Sequence, residues 1–186
     1  LPRLLKGRGS YADDVKLPRM LHVAFLRSPY AHADIVSIRT DKAKGAPGVI
    51  AVFTGKEIAE VCTPWVGVVT HLEGLRSPPQ DALAVDRVRW QGEPLAAVVA
   101  ESRAVAEDVL ELIEVEYSEL PLAVDMESAL DSDAEVIHDE YEDNLCWERN
   151  VDVGDVDAAF VDADVVIEEE YRFGRHTGVT LESRSI

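Results

Sequence analysis

Positive charge is scarce in this 186-residue chain: 18 Lys and Arg stand against 36 Asp and Glu, for a formal charge of −18. Nucleic-acid binding draws much of its affinity from neutralised phosphates, and binding to anionic bilayers draws it from basic clusters. Neither nucleic acid nor membrane is therefore expected as a partner. Cysteine is scarce too. Cys62 and Cys146 are the only two, and they are far apart in the sequence. Such a pair makes a weak disulfide framework, so two reduced, packing thiols in a cytoplasmic protein are expected. The longest apolar run, PLAAVVA, is far shorter than the ~20 residues a membrane-spanning helix needs. Residues 1–10 carry Arg3, Lys6 and Arg8 but no apolar stretch of the signal-peptide kind. The start LPRLLKGRG has no Met, which suggests a trimmed or internal piece of a longer protein.

Catalytic signatures are missing as well. There is no G-x-S-x-G nucleophile elbow. The GRG at Gly7 has no Lys-Ser/Thr after it to make a phosphate loop. Five histidines are scattered along the chain. His32 and Asp34 form an H-x-D pair, and His138 lies in an acidic group with Glu140 and Glu142. A zinc site needs three or four closely set ligands, and neither group supplies them unaided. His22, inside an alternating run, reads as a packed side chain. Carboxylates are abundant, but an acid–base pair needs a pocket that shifts one of them, and the sequence identifies none. Trp65, Trp90 and Trp147 lack the basic surroundings of a base-stacking platform. No catalytic, cofactor-binding or metal-binding residue is assigned.

What the chain does have is hydrophobic periodicity. MLHVAFLRSP alternates, with Leu21, Val23 and Phe25 on one face, and DIVSIRT alternates again. DKAKGAPG allows one helical turn, closed by Gly45 and a Pro47-Gly48 turn. VIAVFT reads as a buried strand. TGKE after it is a capping box between Thr54 and Glu57, opening a helix that turns Ile58 and Val61 inward. Residues 62–82 are irregular and rich in Pro and Gly. LAAVVA is apolar on both faces, as a central strand should be, with Ala97 and Val98 fully buried. Ser102 caps a helix with Val105, Val109 and Leu112 on one face, and Ile113, Val115 and Tyr117 alternate after it. Pro121 to Asn150 turns polar and acidic, like a linker. Asp155 can cap a short helix with Val156 and Phe160 on one face. A strand follows, with Val165, Ile167, Tyr171 and Phe173 on one side, and a further run begins at Val179. The order of elements gives an α+β fold class.

Three segments carry a family resemblance. The first combines Gly-x-x-x-Tyr-x-x-Asp over residues 7–14, LHVAFLRSPYAHA over 21–33 and GVIAVFT over 48–54. The second is VRWQGEPLAAVVAESRAVAEDVLELIEVEYSELP, with a Gly-Glu-Pro turn and a Val-x-Tyr-x-x-Leu-Pro ending. The third is GDVDAAFVDADVVIEEEYRFGRHTGVTLESRS. In this order they resemble the opening of the large, molybdopterin-binding subunit of the xanthine dehydrogenase, aldehyde oxidase and carbon monoxide dehydrogenase family. Glu93 stands where Gln is commoner, and Ser183 where Pro or Thr is usual. The resemblance implies an α/β hammerhead domain over 1–122, with a mixed sheet and packed helices. An acidic linker over 123–149 and the truncated first elements of a molybdopterin-binding domain over 150–186 would follow.

The resemblance also implies a molybdenum-dependent oxidoreductase as the parent, hydroxylating aldehydes or N-heterocycles or oxidising carbon monoxide. Its molybdopterin would be held by the remainder of the large subunit, and iron–sulfur clusters and FAD by partner subunits. The family's glycine-rich loop, its Gln beside molybdenum and its general-base Glu have no counterpart in residues 1–186. The chain alone is therefore expected to be non-catalytic. His176, Glu182 and Arg184 could make at most a few indirect contacts to the cofactor, and are expected instead to satisfy backbone groups and neighbouring strands. A cut sheet edge after Tyr171 would invite self-association. The alternative is a free-standing interaction or assembly domain with no enzymatic activity.

Overall fold

A strand with no charge on either face belongs inside a sheet, and the run from Pro94 to Ala100 lies there. The computed structural model describes residues 2–67, 71–174, 176 and 178. In chain order its elements are α1 (Pro2–Leu5), β1 (His22–Arg27), β2 (Ala33–Arg39), α2 (Asp41–Lys44), β3 (Val49–Thr54) and α3 (Gly55–Ala59). They continue with β4 (Arg87–Val88), β5 (Pro94–Ala100), α4 (Arg103–Val109), β6 (Glu114–Glu119) and α5 (Val156–Val161). Residues 19–148 form one unit, and the terminal segments within 1–18 and 149–186 form a second.

The larger unit is built from two three-stranded sheets, ordered β1-β5-β3 and β4-β2-β6. The α+β class stands, but the expected mixed sheet resolves into two antiparallel ones among the described residues. Val98 pairs with Ala24 on one side and Val52 on the other, and is 0% exposed. Leu26, Ile38 and Val115 bridge the sheets. They pack both on Val52, Ala96, Val98, Val109 and Ile113 and on Ala33, Ala84, Val88 and Leu95.

Local sequence explains how the elements end. Ser102 Oγ accepts the Val105 N–H at 3.3 Å and caps α4. Glu57 accepts the Thr54 N–H at 2.7 Å and the Thr54 hydroxyl at 3.0 Å, tying off α3. Its carboxyl is lowered overall. Burial raises it, but the Thr54 bonds and the Lys44 ammonium outweigh that. Gly55 is required by proximity, since a Cβ there would lie 2.1 Å from the Ala84 carbonyl oxygen.

Several expectations change in the structure. Leu21, Val23 and Phe25 do share a face, but it points away from the core, and Ala24 and Leu26 point in. Val61 is exposed because α3 ends at Ala59. Leu112 is exposed because α4 tightens into a 3-10 turn over Leu110–Leu112, which hands the inward position to Ile113. Cys62 and Cys146 are exposed thiols rather than packed ones, each in irregular backbone.

The acidic stretch 123–149, read as a linker, is laid down along most of its length. Asn144 is its clasp: its Oδ1 accepts the Ile137 N–H at 3.0 Å, and its Nδ2 donates to the Ala129 and Glu135 carbonyls. Arg76 pairs with Asp143, and Trp147 Nε1 donates to the Glu73 carbonyl. In the terminal unit, Asp155 accepts the Ala158 N–H at 2.9 Å and caps α5, whose Val156 and Phe160 remain exposed. The strand expected from Asp164 to Phe173 does not form. A strand needs a hydrogen-bonded neighbour, and none runs beside it among the described residues, so Val165, Ile167, Tyr171 and Phe173 are exposed. The expected run from Val179, with Glu182 and Arg184, lies outside the described residues.

Val98→Asp places a lone carboxylate in the middle of the three-stranded sheet. It should cost several kcal/mol, about 3–5, as a lower midpoint in chemical denaturation. An unchanged midpoint would remove β5 from the centre of the core.

Candidate functional site

The motifs that carry the resemblance hold one another. Arg27-Ser28-Pro29 ends β1 and meets the Gly92-Glu93-Pro94 turn that starts β5. The Ser28 N–H donates to the Glu93 carbonyl and the Gly92 N–H to the Ser28 carbonyl, each at 2.9 Å. Arg27 adds a guanidinium bond to the Gly92 carbonyl at 2.8 Å. Gly92 has φ +92, a backbone conformation that suits glycine. Buried Ser28 then turns the chain. Its hydroxyl accepts the Tyr30 N–H at 3.0 Å and lies 2.9 Å from the Tyr30 carbonyl, to which it donates. Tyr30 stacks at a tilt on Tyr117, with centroids 4.9 Å apart.

His32 makes the second clasp. It is 2% exposed, and its Nδ1 lies 2.7 Å from the Pro121 carbonyl. A carbonyl can only accept, so Nδ1 is the donor in this contact. The Leu120 N–H returns a bond to the His32 carbonyl at 3.1 Å. His32 Nε2 has no hydrogen-bond partner among the described residues. The Leu-His…Ala-His-Ala and Leu-Pro motifs are thus two ends of one structural clasp.

Beside these clasps lies a polar cleft of about 70 Å³, which gathers residues the sequence had left scattered. Arg87, Arg89, Trp90, Glu93 and His138 are among those that line it. Arg87 is the hub. Its Nε donates to Asp34 at 2.6 Å and its Nη1 to both oxygens of Asp139 at 2.9 Å. The Asp34 carboxylate, then burial, then Asp139 act on its guanidinium, and the net effect raises its pKa. Glu93 accepts the Arg89 N–H at 2.6 Å, and Arg89 Nε donates to the Ile137 carbonyl at 3.3 Å. Burial pushes the Glu93 carboxyl up, against the bond and charge of Arg89. Burial pushes His138 down, helped by Arg89 and opposed by Glu140 and Asp139.

The chemistry this arrangement supports is anchoring. A cleft of 70 Å³ holds a water or two, and a second cleft near Ile35, Ser37 and Lys56 is about 110 Å³. Pockets for organic ligands run to roughly 300–1,000 Å³, so neither fits a pterin cofactor. Among the described residues no three His, Cys, Asp or Glu side chains are placed to share a metal ion. The sequence pair His32 and Asp34 is split, one bonded to Pro121 and the other to Arg87. In the other group, His138 and Glu140 stand 3.9 Å apart. His176 is exposed, with Nδ1 3.2 Å from the Gly174 carbonyl. Arg87, Arg89 and Asn144, which tie the acidic segment down, were not singled out from sequence. The signal was the RVRW run over 87–90, which sets two arginines close together in a chain short of positive charge.

Comparison with known proteins assigns this fold. Residues 6–121 match the model of the aldehyde oxidase and xanthine dehydrogenase a/b hammerhead domain. The chain is 38% identical over 182 residues to the nicotine 6-hydroxylase large subunit of Paenarthrobacter nicotinovorans, covering 98% of this chain and 22% of that one. Quinoline 2-oxidoreductase from Pseudomonas putida 86 is similar in structure, with a TM-score of 0.72 and 46% identity across 78% of this chain and 18% of that one. A Cu,Mo-CO dehydrogenase chain gives a TM-score of 0.68 at 36% identity, covering 88% of this chain and 22% of that one. The chain belongs to the aldehyde oxidase and xanthine dehydrogenase hammerhead family, a family of oxidoreductases. It spans about a fifth of the length of the nicotine 6-hydroxylase subunit it matches. No helix among the described residues is long and apolar enough to cross a membrane.

Arg87→Ala should loosen the 123–148 segment and leave the sheets folded. Both carboxylates are well exposed, so the screened pairs are worth about 1 kcal/mol. Amide exchange should quicken at Ile137 and stay slow at Val98. Acid should act in the same direction. His138 is held below the ordinary histidine value of about 6.5, so the undocked segment takes up a proton first as pH falls. The contribution of His138 to docking is fully present above that value and is lost as pH drops through the lowered one. Exchange at Ile137 followed from pH 7.5 to 5.5 checks it, with His138→Gln flattening the dependence.

Proposed function

We propose that this chain is the N-terminal, hammerhead portion of the large subunit of a molybdenum hydroxylase. The likeness to the nicotine 6-hydroxylase large subunit, over nearly all of this chain and about a fifth of the relative, carries the reading. The molybdenum in the Cu,Mo-CO dehydrogenase supports the metal. The whole enzyme would oxidise an N-heterocycle, an aldehyde or carbon monoxide. The quinoline and nicotine enzymes among its relatives favour an N-heterocycle.

In this reading residues 1–122 are the hammerhead domain, 123–149 an acidic strap anchored on it, and 150–186 the opening of the molybdopterin-binding domain. The remainder of the large subunit supplies the molybdopterin site. Iron–sulfur and flavin subunits take the electrons, in the cytoplasm. The chain itself is a non-catalytic scaffold. The small size of the two clefts, about 70 and 110 Å³, and the motif clasps support that role.

The intact source protein should contain stoichiometric molybdenum by elemental analysis. It should also reduce an artificial dye with at least one N-heterocycle, aldehyde or carbon monoxide. The isolated 186-residue chain should do neither. A metal-free, inactive parent would overturn the assignment. Stoichiometric molybdenum on the isolated chain would overturn its scaffold role.

A further inference from the structure

The two sheets of the larger unit differ on their outer faces. Strands β2 and β6 carry exposed polar pairs: Arg39, joined by Lys42 of α2, meets Glu114 at 2.9 and 2.5 Å, and the Ser37 hydroxyl donates to Glu116 at 3.2 Å, although Val36 is exposed as well. The outer face of β1-β5-β3 carries no charge along two full rows. The register sets Val23 against Val99 and Val99 against Ala51, and then Phe25 against Ala97 and Ala97 against Phe53. Side chains alternate along each strand, so these six lie on the face opposite Ala24, Val52 and Val98. Val23 is 46% exposed, Phe25 37% and Phe53 39%. Leu21, just before β1, is exposed in step with Val23 and Phe25, and Ile50, unpaired at the β3 bulge, is exposed too.

We infer that this face is the seat of the later portion of the large subunit, the polypeptide that follows residue 186 in the parent. The inference rests on the hammerhead reading above. Three observations select this occupant. An uncharged patch with two phenylalanines has the character of a permanent interface, since transient ones are as polar as ordinary surface. A second copy of this chain would bring another charge of −18 against the first, which opposes pairing. The chain matches only 22% of the length of the nicotine 6-hydroxylase large subunit, so in a parent of that size a polypeptide several times its length must find places to pack.

The test uses the full large subunit in its holoenzyme, with p-benzoylphenylalanine in place of Phe25. After irradiation, peptide mapping should find Phe25 joined to a segment of the same subunit beyond residue 186. Val23→Cys checks the result without a bulky probe. Its thiol should react at least about a hundredfold slower in the native subunit than after unfolding, since reactivity follows exposure. Cross-links to an iron–sulfur or flavin subunit, or to a second large subunit, would overturn the assignment. So would a V23C thiol that reacts freely in the native subunit. Molybdenum measured on the unaltered holoenzyme separates the two claims. A molybdenum-containing parent with an open face sinks only the docking inference, and a parent without molybdenum sinks the hydroxylase reading whatever the cross-links show.

Discussion

The reciprocal backbone bonds between Ser28 and the Gly92-Glu93 turn are the constraint on which the rest of the larger unit depends. They fix where β1 ends and β5 begins, and so fix the register of the central pair. With that register set, Ala24 and Leu26 face inward opposite Val98 and Ala96, and the core clusters around them. One step of slippage would exchange the inner row for Val23 and Phe25 and leave small inward residues outside. Ser28 also turns the chain toward Ala33 and His32. The link between the sheets therefore starts from the same residue that locks one of them.

His32 continues this logic at the far edge. Its bond to the Pro121 carbonyl and the Leu120 bond in return close the second sheet onto the chain's exit from β6. A buried imidazole is well suited to this, because it offers a rigid, directed donor to the Pro121 carbonyl. The arginines of β4 and the residue after it then hold the acidic segment against the completed sheets. In a chain where acids outnumber bases two to one, Arg87 serves two carboxylates at once.

Sequence patterning was a good guide where a residue's job is set by its near neighbours. The Ser102 cap, the Thr54–Glu57 box, the Gly45 stop and the burial of Val98 all follow from short-range pattern or from apolarity on both faces. It was a poorer guide to which side of an alternating strand faces in. Leu21, Val23 and Phe25 are larger than His22, Ala24 and Leu26, yet the smaller set is inside, because helix α4 packs on β1 there through Ala106 and leaves little room. Periodicity shows that two faces differ, and tertiary packing decides which one is dry. The polar segments were harder still. Asn144 and Arg87 act across long stretches of sequence through single hydrogen bonds, and such bonds leave no periodic trace.

The timing of synthesis gives the apolar outer face a further meaning. All six strands of the larger unit lie between His22 and Glu119, so if the chain opens a large subunit as proposed, both sheets could close while most of a relative-sized subunit is still unmade. Elongation at about 5–20 residues per second leaves an interval on the order of tens of seconds before such a subunit is complete. During it, a folded domain would present Val23, Phe25 and Phe53 at the ribosome surface with nothing yet available to cover them. In that setting the acidic surface, −18 over these 186 residues, would help keep the uncovered face from other chains through charge repulsion.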